Sequence, residues 1–450
     1  MSQSEFSSHE LLVKTEDLPA CNNYWIAYSG GLDSHVLLHA FHELRNKLSA
    51  GIRAVHVNHG LSENSGKWAG HCREICAGLD INIVVHEITG NSPKGVSIES
   101  WARDQRYTLI RSTMETGDIL FTAQHRDDQA ETLLLQLYRG AGPMGLSSMP
   151  EIREFGTGWH ARPLLEFTRE QLLDYAERNG LSWIEDDANM DQGFDRNFIR
   201  HTVMPALKER WPNISGVLSR VACHQAETTS LLAELACADL KVSSLPDPFT
   251  LSMRNFNNLS ILRQKNLIRF WIRHLGMPLP DTRTLHQIMS NVVSSRYDAN
   301  PCVCWQGIEI RRFRNTLYLG MKRRRPYNYI PEKWDLKSSC KTPLGELRAI
   351  PGSGRGISLN AVPDGKLDIR YRKGGEIIQP AGNKHHRSLK NLLQENNVPP
   401  WFRDQIPLLY LEDDLVAVAG FWINDSYQAA AEEESWEIIW DGVEKVVIKE

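Results

Sequence analysis

The sequence predicts an α/β protein: a doubly wound parallel sheet at the N-terminal end, a mainly helical middle domain and a small α+β C-terminal domain. Between residues 22 and 125, short apolar runs alternate with longer amphipathic runs, as in strands joined by helices that cover both faces of a sheet. From about residue 216 to 295 the pattern is helical, and strand-like runs follow at 303–320. Apolar strands such as 408–410 and 415–419 indicate the last domain.

The N-terminal elements follow from this alternation in order. Strands are predicted at 22–28, 52–58, 81–88 and 118–123, and helices at 34–47, 63–79, 97–116 and 126–138, with further helices across 168–210. Ligands of such sheets bind at the carboxyl ends of the strands. We therefore expect the loops after the first, second and fourth strands to form one site.

The length of 450 residues exceeds one ordinary core and predicts about three domains. We expect a catalytic domain over 1–215, the middle domain over 216–325 and the C-terminal domain over 366–450. The segment 326–365 is rich in Pro, Gly and Lys, and we predict a linker or irregular segment there.

The composition, 41% hydrophobic and 24% charged, is that of a soluble globular protein. The sequence has no apolar run of membrane-spanning length, and its first residues lack the basic start and apolar stretch of a secretory signal. We expect a cytoplasmic protein without membrane contact. The eight cysteines include no Cys-x-x-Cys pair, and we interpret them as reduced structural thiols.

The most informative motif is Ser-Gly-Gly-Leu-Asp-Ser at 29–34, between a predicted strand and a predicted helix. A Gly-Gly turn at a helix N-terminus arranges backbone N–H groups around an anion, above all a phosphate. Asp33 would repel phosphates unless it held a divalent cation that bridges to them. The alternative is an ordinary turn capped by a Ser or Asp side chain.

A second motif, at 122–132, leaves a predicted strand and enters a helix. Asp128 and Glu131 fall on one helix face near its N-terminus, where negative charge is favoured. These acids are suited to a cationic amine or a metal, and the alternative is that they only cap the helix. His125 favours a functional interpretation, because an imidazole there can stabilise charge on a transferring phosphoryl group or help hold a metal.

Basic residues form further candidate sites. Glu99, Arg103 and Arg106 share one stripe of a predicted helix, either as an ion-pair ladder or as arginines that face phosphates. The net charge of −4 does not indicate a nucleic-acid-binding protein, but positive charge gathers at 196–200, 311–325 and 370–390. These segments are suited to an acidic polymer or are solvated faces.

Together these motifs resemble the tRNA(Ile)-lysidine synthetase family, a branch of the PP-loop ATP pyrophosphatases with a Rossmann-like sheet. The resemblance covers most of the chain and is weakest in the middle. One departure is Gln124, where many relatives have a second His before His125. The segments that carry the resemblance are 29–34, 55–61, 99–107, 122–132, 139–142, 162–165, 183–200, 374–376, 389–395 and 398–403.

The resemblance implies a ligase that uses ATP to adenylate O2 of the wobble cytidine, position 34, of the isoleucine tRNA with a CAU anticodon. The ε-amine of free L-lysine then attacks C2 and expels AMP, leaving lysidine. The implied cofactors are ATP and Mg²⁺, and the partners are that tRNA and lysine. No stable protein partner is implied, and a homodimer is left open. The alternative is another PP-loop tRNA-modifying enzyme such as a cytidine 2-thiolase, for which iron–sulfur members would carry Cys-x-x-Cys pairs.

The resemblance also implies residue roles. Asp33 would hold Mg²⁺, with Asp128 as a second candidate ligand, and Asp128 and Glu131 would hold the lysine ammonium. The implied catalytic residues are Asp33, Arg106, His125, Asp128 and Glu131. The implied ATP-binding residues are Ser29, Gly30, Gly31, Leu32, Asp33, Ser34, Asn58, His59 and Arg103. The implied tRNA contacts are Arg139, Arg196, Asn197, Arg200, Arg370, Lys373, Lys384, Lys390, Trp401 and Arg403.

Overall fold

The computed structural model describes residues 5–58, 60, 65–93, 95, 97–185, 193–297, 299–322 and 332–442. The chain forms two compact units, Met1–Ala233 and Glu234–Glu450. None of the described helices combines the length and the apolar character needed to cross a lipid bilayer.

The first unit is built on a mainly parallel sheet. Its strands are β1 (Asn23–Ala27), β2 (Gly51–Asn58), β3 (Asn82–Glu87), β4 (Ile119–Phe121), β5 (Ile152–Phe155) and β6 (Gly158–Ala161). Its helices are α1 (Ser8–Glu16), α2 (Leu32–Glu43), α3 (Ser65–Gly78), α4 (Ile98–Thr113), α5 (Arg126–Tyr138), α6 (Pro143–Leu146), α7 (Arg169–Arg178), α8 (Asp195–Phe198) and α9 (Met204–Arg210), with a π-helical turn at Ile199–Val203, and α10 (Ile214–Ser243) continues into the second unit. The strand order is β3-β2-β1-β4-β6-β5, and β5 runs antiparallel to β6.

Helices cover both faces of this sheet, because alternate residues of β1 enter opposite cores. Tyr24 and Ile26 pack with the apolar face of α2, including Phe41. Trp25 packs on the other face with Ile110 of α4. The doubly wound α/β arrangement predicted for this region is confirmed.

The middle region combines helices with an antiparallel sheet of order β7-β10-β9-β8. Its elements are β7 (Thr250–Ser252), α11 (Met253–Asn257), α12 (Ile261–His274), α13 (Thr282–Gln287), a π-helical turn at Ile288–Val293, β8 (Cys302–Trp305), β9 (Ile308–Phe313) and β10 (Thr316–Met321). The last three strands coincide with the strand-like runs predicted at 303–320. Leu267 and Trp271 of α12 pack on Ile310 and Leu317 in one core.

The C-terminal region is α+β, as predicted. Its elements are β11 (Glu332–Asp335), β12 (Cys340–Thr342), β13 (Gly345–Ser353), β14 (Ile357–Ser358), β15 (Lys366–Arg370), β16 (Ile377–Ile378), β17 (Arg387–Ser388), α14 (Leu389–Glu395), α15 (Pro400–Arg403), β18 (Leu408–Leu411), β19 (Asp414–Val418), β20 (Trp422–Ile423) and β21 (Glu434–Trp440). They form sheets of order β11-β15-β18-β19-β20, β12-β13-β21-β14 and β16-β17.

The segment 326–365 differs from the predicted linker in its described part, from residue 332 onward. It supplies β11 to β14, and Trp334, Leu347 and Ile357 lie in the core of the C-terminal region. Residues 347–353 of β13 pair with β21. The glycines of this segment serve turns and close backbone approaches, as at Gly356, where φ is +107° and an added Cβ would meet the backbone of β21.

Candidate active site

The predicted phosphate loop lies between β1 and α2. Gly30 has a φ of +86°, and a Cβ there would lie 3.1 Å from Sγ of Cys72 and 3.3 Å from Cδ1 of Ile184. Both the backbone conformation and the space therefore favour glycine. Gly31 is the N-cap residue of α2, a position at which it provides no capping side chain. The N–H groups of the first turn of α2 are thus available to an anion.

Two hydroxyls stabilise the shape of this loop. The Oγ atoms of Ser29 and Ser34 lie 3.0 Å apart, and Oγ of Ser34 donates to the backbone oxygen of Gly31 at 2.9 Å. Ser34 is buried and Ser29 is exposed. Leu32 is buried in the sheet core, so its predicted contact with ATP is restricted to its backbone.

Asp33 lies in the first turn of α2. Its Oδ2 lies 3.7 Å from Nε2 of His125, whereas its Oδ1 is buried and has no hydrogen-bond partner among the described residues. Burial raises the pKa of Asp33, against the opposing effect of His125. A buried carboxylate oxygen without a partner is the donor that a hard divalent cation prefers, so Asp33 fits the predicted Mg²⁺.

His125 is the N-cap of α5 and joins the two loops. Its Nδ1 accepts from the backbone N–H of Asp128 at 3.4 Å, and the backbone N–H of His125 donates to Oδ2 of Asp128 at 3.1 Å. These reciprocal bonds form a capping box. Because Nδ1 accepts, the proton of a neutral imidazole lies on Nε2, which faces the carboxylates of Asp33 and Asp128.

Asp128 and Glu131 form a buried acid pair that binds two guanidinium groups. Arg196 lies 2.9 Å from Asp128 and 3.0 Å from Glu131, and Arg200 lies 2.8 Å and 2.7 Å from them. Burial opposes the ionisation of Asp128, but His125 and the two guanidiniums hold its pKa below its ordinary value. Asp128 is therefore held as a carboxylate, and the acid pair binds both guanidinium groups. Arg196 and Arg200, predicted as tRNA contacts, are positioned on it.

Asp127 has structural partners. It accepts from the backbone N–H of Arg169 at 3.0 Å, from Nζ of Lys208 at 2.6 Å and from Oγ of Ser215 at 2.7 Å. Burial opposes its ionisation, yet these donors hold the pKa of Asp127 well below its usual range. Asp127 thus ties α5 to three later elements.

Asp127→Asn is expected to lower the free energy of unfolding at pH 7 by about 2 kcal/mol, because it weakens hydrogen bonds to a charged acceptor. The folded-state pKa is depressed, so this stabilisation is present above the ordinary value of 3.8 and is lost as the pH falls below it. Urea unfolding should show a gap between wild type and variant that narrows on acidification. Asp80→Asn at an exposed site is the control, with an expected change within about 0.5 kcal/mol. A gap that does not depend on pH would contradict the ionic origin.

The remaining predicted ATP contacts differ in position. Asn58 ends β2 and its Oδ1 accepts from the N–H of Gly60 at 2.9 Å. His59 lies outside the described residues. Arg103 and Arg106 are exposed on α4, and Arg103 stacks 5.3 Å from the ring centre of Tyr107. Neither arginine is brought into contact with the phosphate loop.

The other predicted tRNA contacts fall into two groups. Arg139, Lys373, Lys384 and Lys390 are exposed, and Asn197 lies on α8. The rest make intramolecular contacts: Arg370 pairs with Asp368 at 3.2 Å and Asp413 at 3.4 Å, and Nε of Arg403 donates to the backbone oxygen of Val398 at 2.8 Å.

Trp401 is half-buried between the middle and C-terminal regions of the second unit. Its ring packs edge-on against Tyr318, with centroids 5.1 Å apart, and the guanidinium of Arg311 lies 5.3 Å from its centre. This packing occupies the ring that was expected to contact tRNA.

Sequence reasoning assigned no role to Gln124, nor to Thr122 and His160, two polar residues that lie behind it. Thr122 contacts both Gln124 and the buried His160 of β6. The available signal was His160-Ala-Arg162 at a strand end, since paired polar residues are uncommon in a buried strand.

Comparisons with known proteins identify the family of this chain. Residues 4–207 match a family model described as a PP-loop domain, residues 251–318 a TilS substrate binding domain, and residues 367–440 a TilS substrate C-terminal domain. A tRNA(Ile)-lysidine synthase from Coxiella burnetii is 42% identical over 436 residues, which cover 96% of each chain. Its counterpart from Methylococcus capsulatus is 38% identical over 93% of this chain and 96% of its own, and the one from Pectobacterium atrosepticum is 36% identical over 98% and 100%. With a PP-loop site at the sheet edge and similarity along nearly its whole length, the chain belongs to the tRNA(Ile)-lysidine synthase family.

Proposed function

We propose that this protein ligates free L-lysine to C2 of the wobble cytidine of the isoleucine tRNA with a CAU anticodon, through an adenylated cytidine. This proposal depends on the position of His125. It lies beside Asp33 of the phosphate loop and also beside Asp128 of the acid pair Asp128 and Glu131. An ATP site and a cation site then share one sheet edge. The names of the relatives support the same reaction.

In the first step, O2 of the cytidine attacks the α-phosphorus of ATP, and the bond between the α and β phosphates breaks. The N–H groups at the start of α2 and the hydroxyl of Ser29 donate to phosphate oxygens. Asp33 would hold Mg²⁺, which supplies positive charge against the departing pyrophosphate. The Nε2–H of His125, beside Asp33, faces the same region.

In the second step, the ε-amine of lysine attacks C2 and AMP leaves. The amine must lose a proton before it attacks, and a carboxylate of Asp128 or Glu131 accepts it. Arg196 and Arg200 hold these carboxylates in the structure, so lysine shares them with a guanidinium or displaces one. The acid pair is suited to lysine because its negative charge is buried.

AMP release is expected to require both tRNA and lysine, because adenylation needs the cytidine and release of AMP needs the amine. Radiolabelled lysine incorporated into the isoleucine tRNA, with AMP counted in parallel, measures this. Without lysine, pyrophosphate is released once per tRNA and then stops. Continued AMP production that does not depend on lysine would refute the lysidine assignment.

The thiolase alternative has no support in the residues. The eight cysteines of the sequence include no Cys-x-x-Cys pair for an iron–sulfur cluster. Incubation with ATP and a sulfur donor in place of lysine should place no sulfur at C2 of the wobble cytidine.

We propose that the exposed lysines of the C-terminal region bind the tRNA at a distance from the reacting cytidine. Lys384→Glu combined with Lys390→Glu is expected to raise the KM for tRNA at least tenfold, while the KM for ATP changes by less than about twofold. Lys337→Glu combined with Lys341→Glu makes the same charge change at exposed sites and is the control. Equal KM values in the two double variants would contradict the assignment. Truncation after residue 365 is unsuitable as a test, because it separates β13 from β21.

A further inference from the structure

A directed chain of hydrogen bonds ends at Gln124, at the carboxyl end of β4. Nη2 of Arg162 lies 3.2 Å from Nδ1 of His160, and Nε2 of His160 lies 2.7 Å from Oγ1 of Thr122. Oγ1 of Thr122 in turn donates to Oε1 of Gln124. Arg162, His160 and Thr122 are buried, and Gln124 is the partly exposed end of the chain.

The chemistry of the groups sets the direction of these bonds. A guanidinium only donates, so Nδ1 of His160 accepts, and the proton of its neutral ring lies on Nε2. Thr122 accepts that proton in a hydrogen bond, which leaves its own hydroxyl hydrogen for Oε1 of Gln124. Burial and the nearby charge of Arg162 lower the pKa of His160 to about 2, so the ring stays neutral at physiological pH.

This direction determines what Gln124 presents to the site. Its Oε1 is engaged as an acceptor, so its Nε2 carries two N–H donors turned away from Thr122. That Nε2 has no hydrogen-bond partner in the described part of the chain. β4 lies beside β1, with Phe121 opposite Ile26, and the next residue, His125, lies 3.7 Å from Asp33. Gln124 therefore lies at the same sheet edge as the phosphate loop.

The surroundings favour an anion as the acceptor. The side chain of Arg162 is buried and also bonds to neutral groups: it donates to the backbone oxygen of Pro150 at 2.8 Å and hydrogen-bonds Tyr107. Its Nε has no partner among the described residues. The buried positive charge of Arg162 lies at the start of a chain of hydrogen bonds that all point the same way. It polarises each bond in turn, and this makes the N–H groups of Gln124 stronger hydrogen-bond donors.

We propose that Gln124 donates a hydrogen bond to a non-bridging oxygen of the α-phosphate of ATP as the adenylyl group is transferred. Thr122, His160 and Arg162 act through it as positioning residues. Negative charge on these oxygens increases in the transition state, so a fixed donor favours the transition state over bound ATP. Gln124 neither gains nor loses a proton in the step. The inference rests on the proposed adenylation of a tRNA cytidine.

The test is single-turnover adenylation without lysine, measured as pyrophosphate release, with ATP affinity measured separately. Gln124→Glu keeps the shape and the bond from Thr122 but replaces both donors with a negative charge, and is expected to adenylate about 100-fold more slowly with ATP affinity changed much less. Thr122→Val is expected to slow adenylation about tenfold, because the amide loses the bond that orients it. Thr122→Ser restores the hydroxyl and should stay within about threefold of wild type. Thermal melting of each variant verifies folding.

Adenylation by Gln124→Glu at the wild-type rate overturns the role of Gln124. Equal losses in Thr122→Ser and Thr122→Val overturn the positioning role, since they would show that the methyl group and not the hydroxyl matters. A wild-type protein that forms no adenylated tRNA overturns the proposed function itself, which separates the two failures.

Discussion

Replacing Asp33 with asparagine is expected to slow adenylation by about 10³-fold and to leave tRNA affinity nearly unchanged. The amide oxygen of asparagine is uncharged and binds Mg²⁺ weakly, and the variant loses the carboxylate whose buried Oδ1 has no partner among the described residues. Pyrophosphate release in a single turnover, titrated with Mg²⁺, measures the effect.

The same variant should fold at least as stably as the wild type. Burial raises the pKa of Asp33, so its ionised form is held at a cost in the folded protein that asparagine does not carry. A melting temperature equal to or above that of the wild type, together with lost activity, would show that Asp33 serves catalysis rather than the stability of the fold. Normal lysidine yield with an unchanged Mg²⁺ dependence would remove Asp33 from the mechanism.

Glu131→Gln is expected to block the second step rather than the first. Glu131 is buried and pairs with both Arg196 and Arg200, so its loss leaves two guanidiniums on the single carboxylate of Asp128. The local charge becomes positive and repels the lysine ammonium, by an amount that corresponds to a rise of about 100-fold or more in the KM for lysine. Adenylated tRNA should accumulate and be seen directly by mass spectrometry.

Glu177→Gln, at an exposed position of α7, is the matched control for this change. It should leave the KM for lysine and the level of adenylated tRNA at wild-type values. Loss of adenylation in Glu131→Gln, with lysine affinity retained, would place Glu131 in the first step and contradict the assignment.

Local patterns predicted the scaffold because they report directly on burial. The alternation of apolar and amphipathic runs predicted strands covered on both faces, and in the structure Tyr24 and Ile26 of β1 pack in one core and Trp25 in the other. The proximity of Asp33 and His125 was predictable as well, since the carboxyl ends of neighbouring parallel strands meet at one edge.

Pairings between distant segments could not be predicted in this way. Arg196 and Arg200 had the charge and spacing of a nucleic-acid contact, and nothing local indicated that they bind acids more than 60 residues earlier. The aromatic ring of Trp401 in a basic segment looked exposed until β9 and β10 were seen to cover it. Likewise, the Pro and Gly content of 326–365 indicates that the segment contains turns, but it does not indicate that the segment pairs with β21.

The histidine at the N-cap of α5 sets catalysis against stability, and this matters for protein engineering. Serine, aspartate and asparagine are the side chains that best stabilise a helix start, so a library screened for heat resistance alone will tend to replace His125. Variants selected in this way would have a higher melting temperature but would lack the imidazole that faces Asp33. Directed evolution of this enzyme therefore needs turnover as a selection criterion at position 125 from the first round.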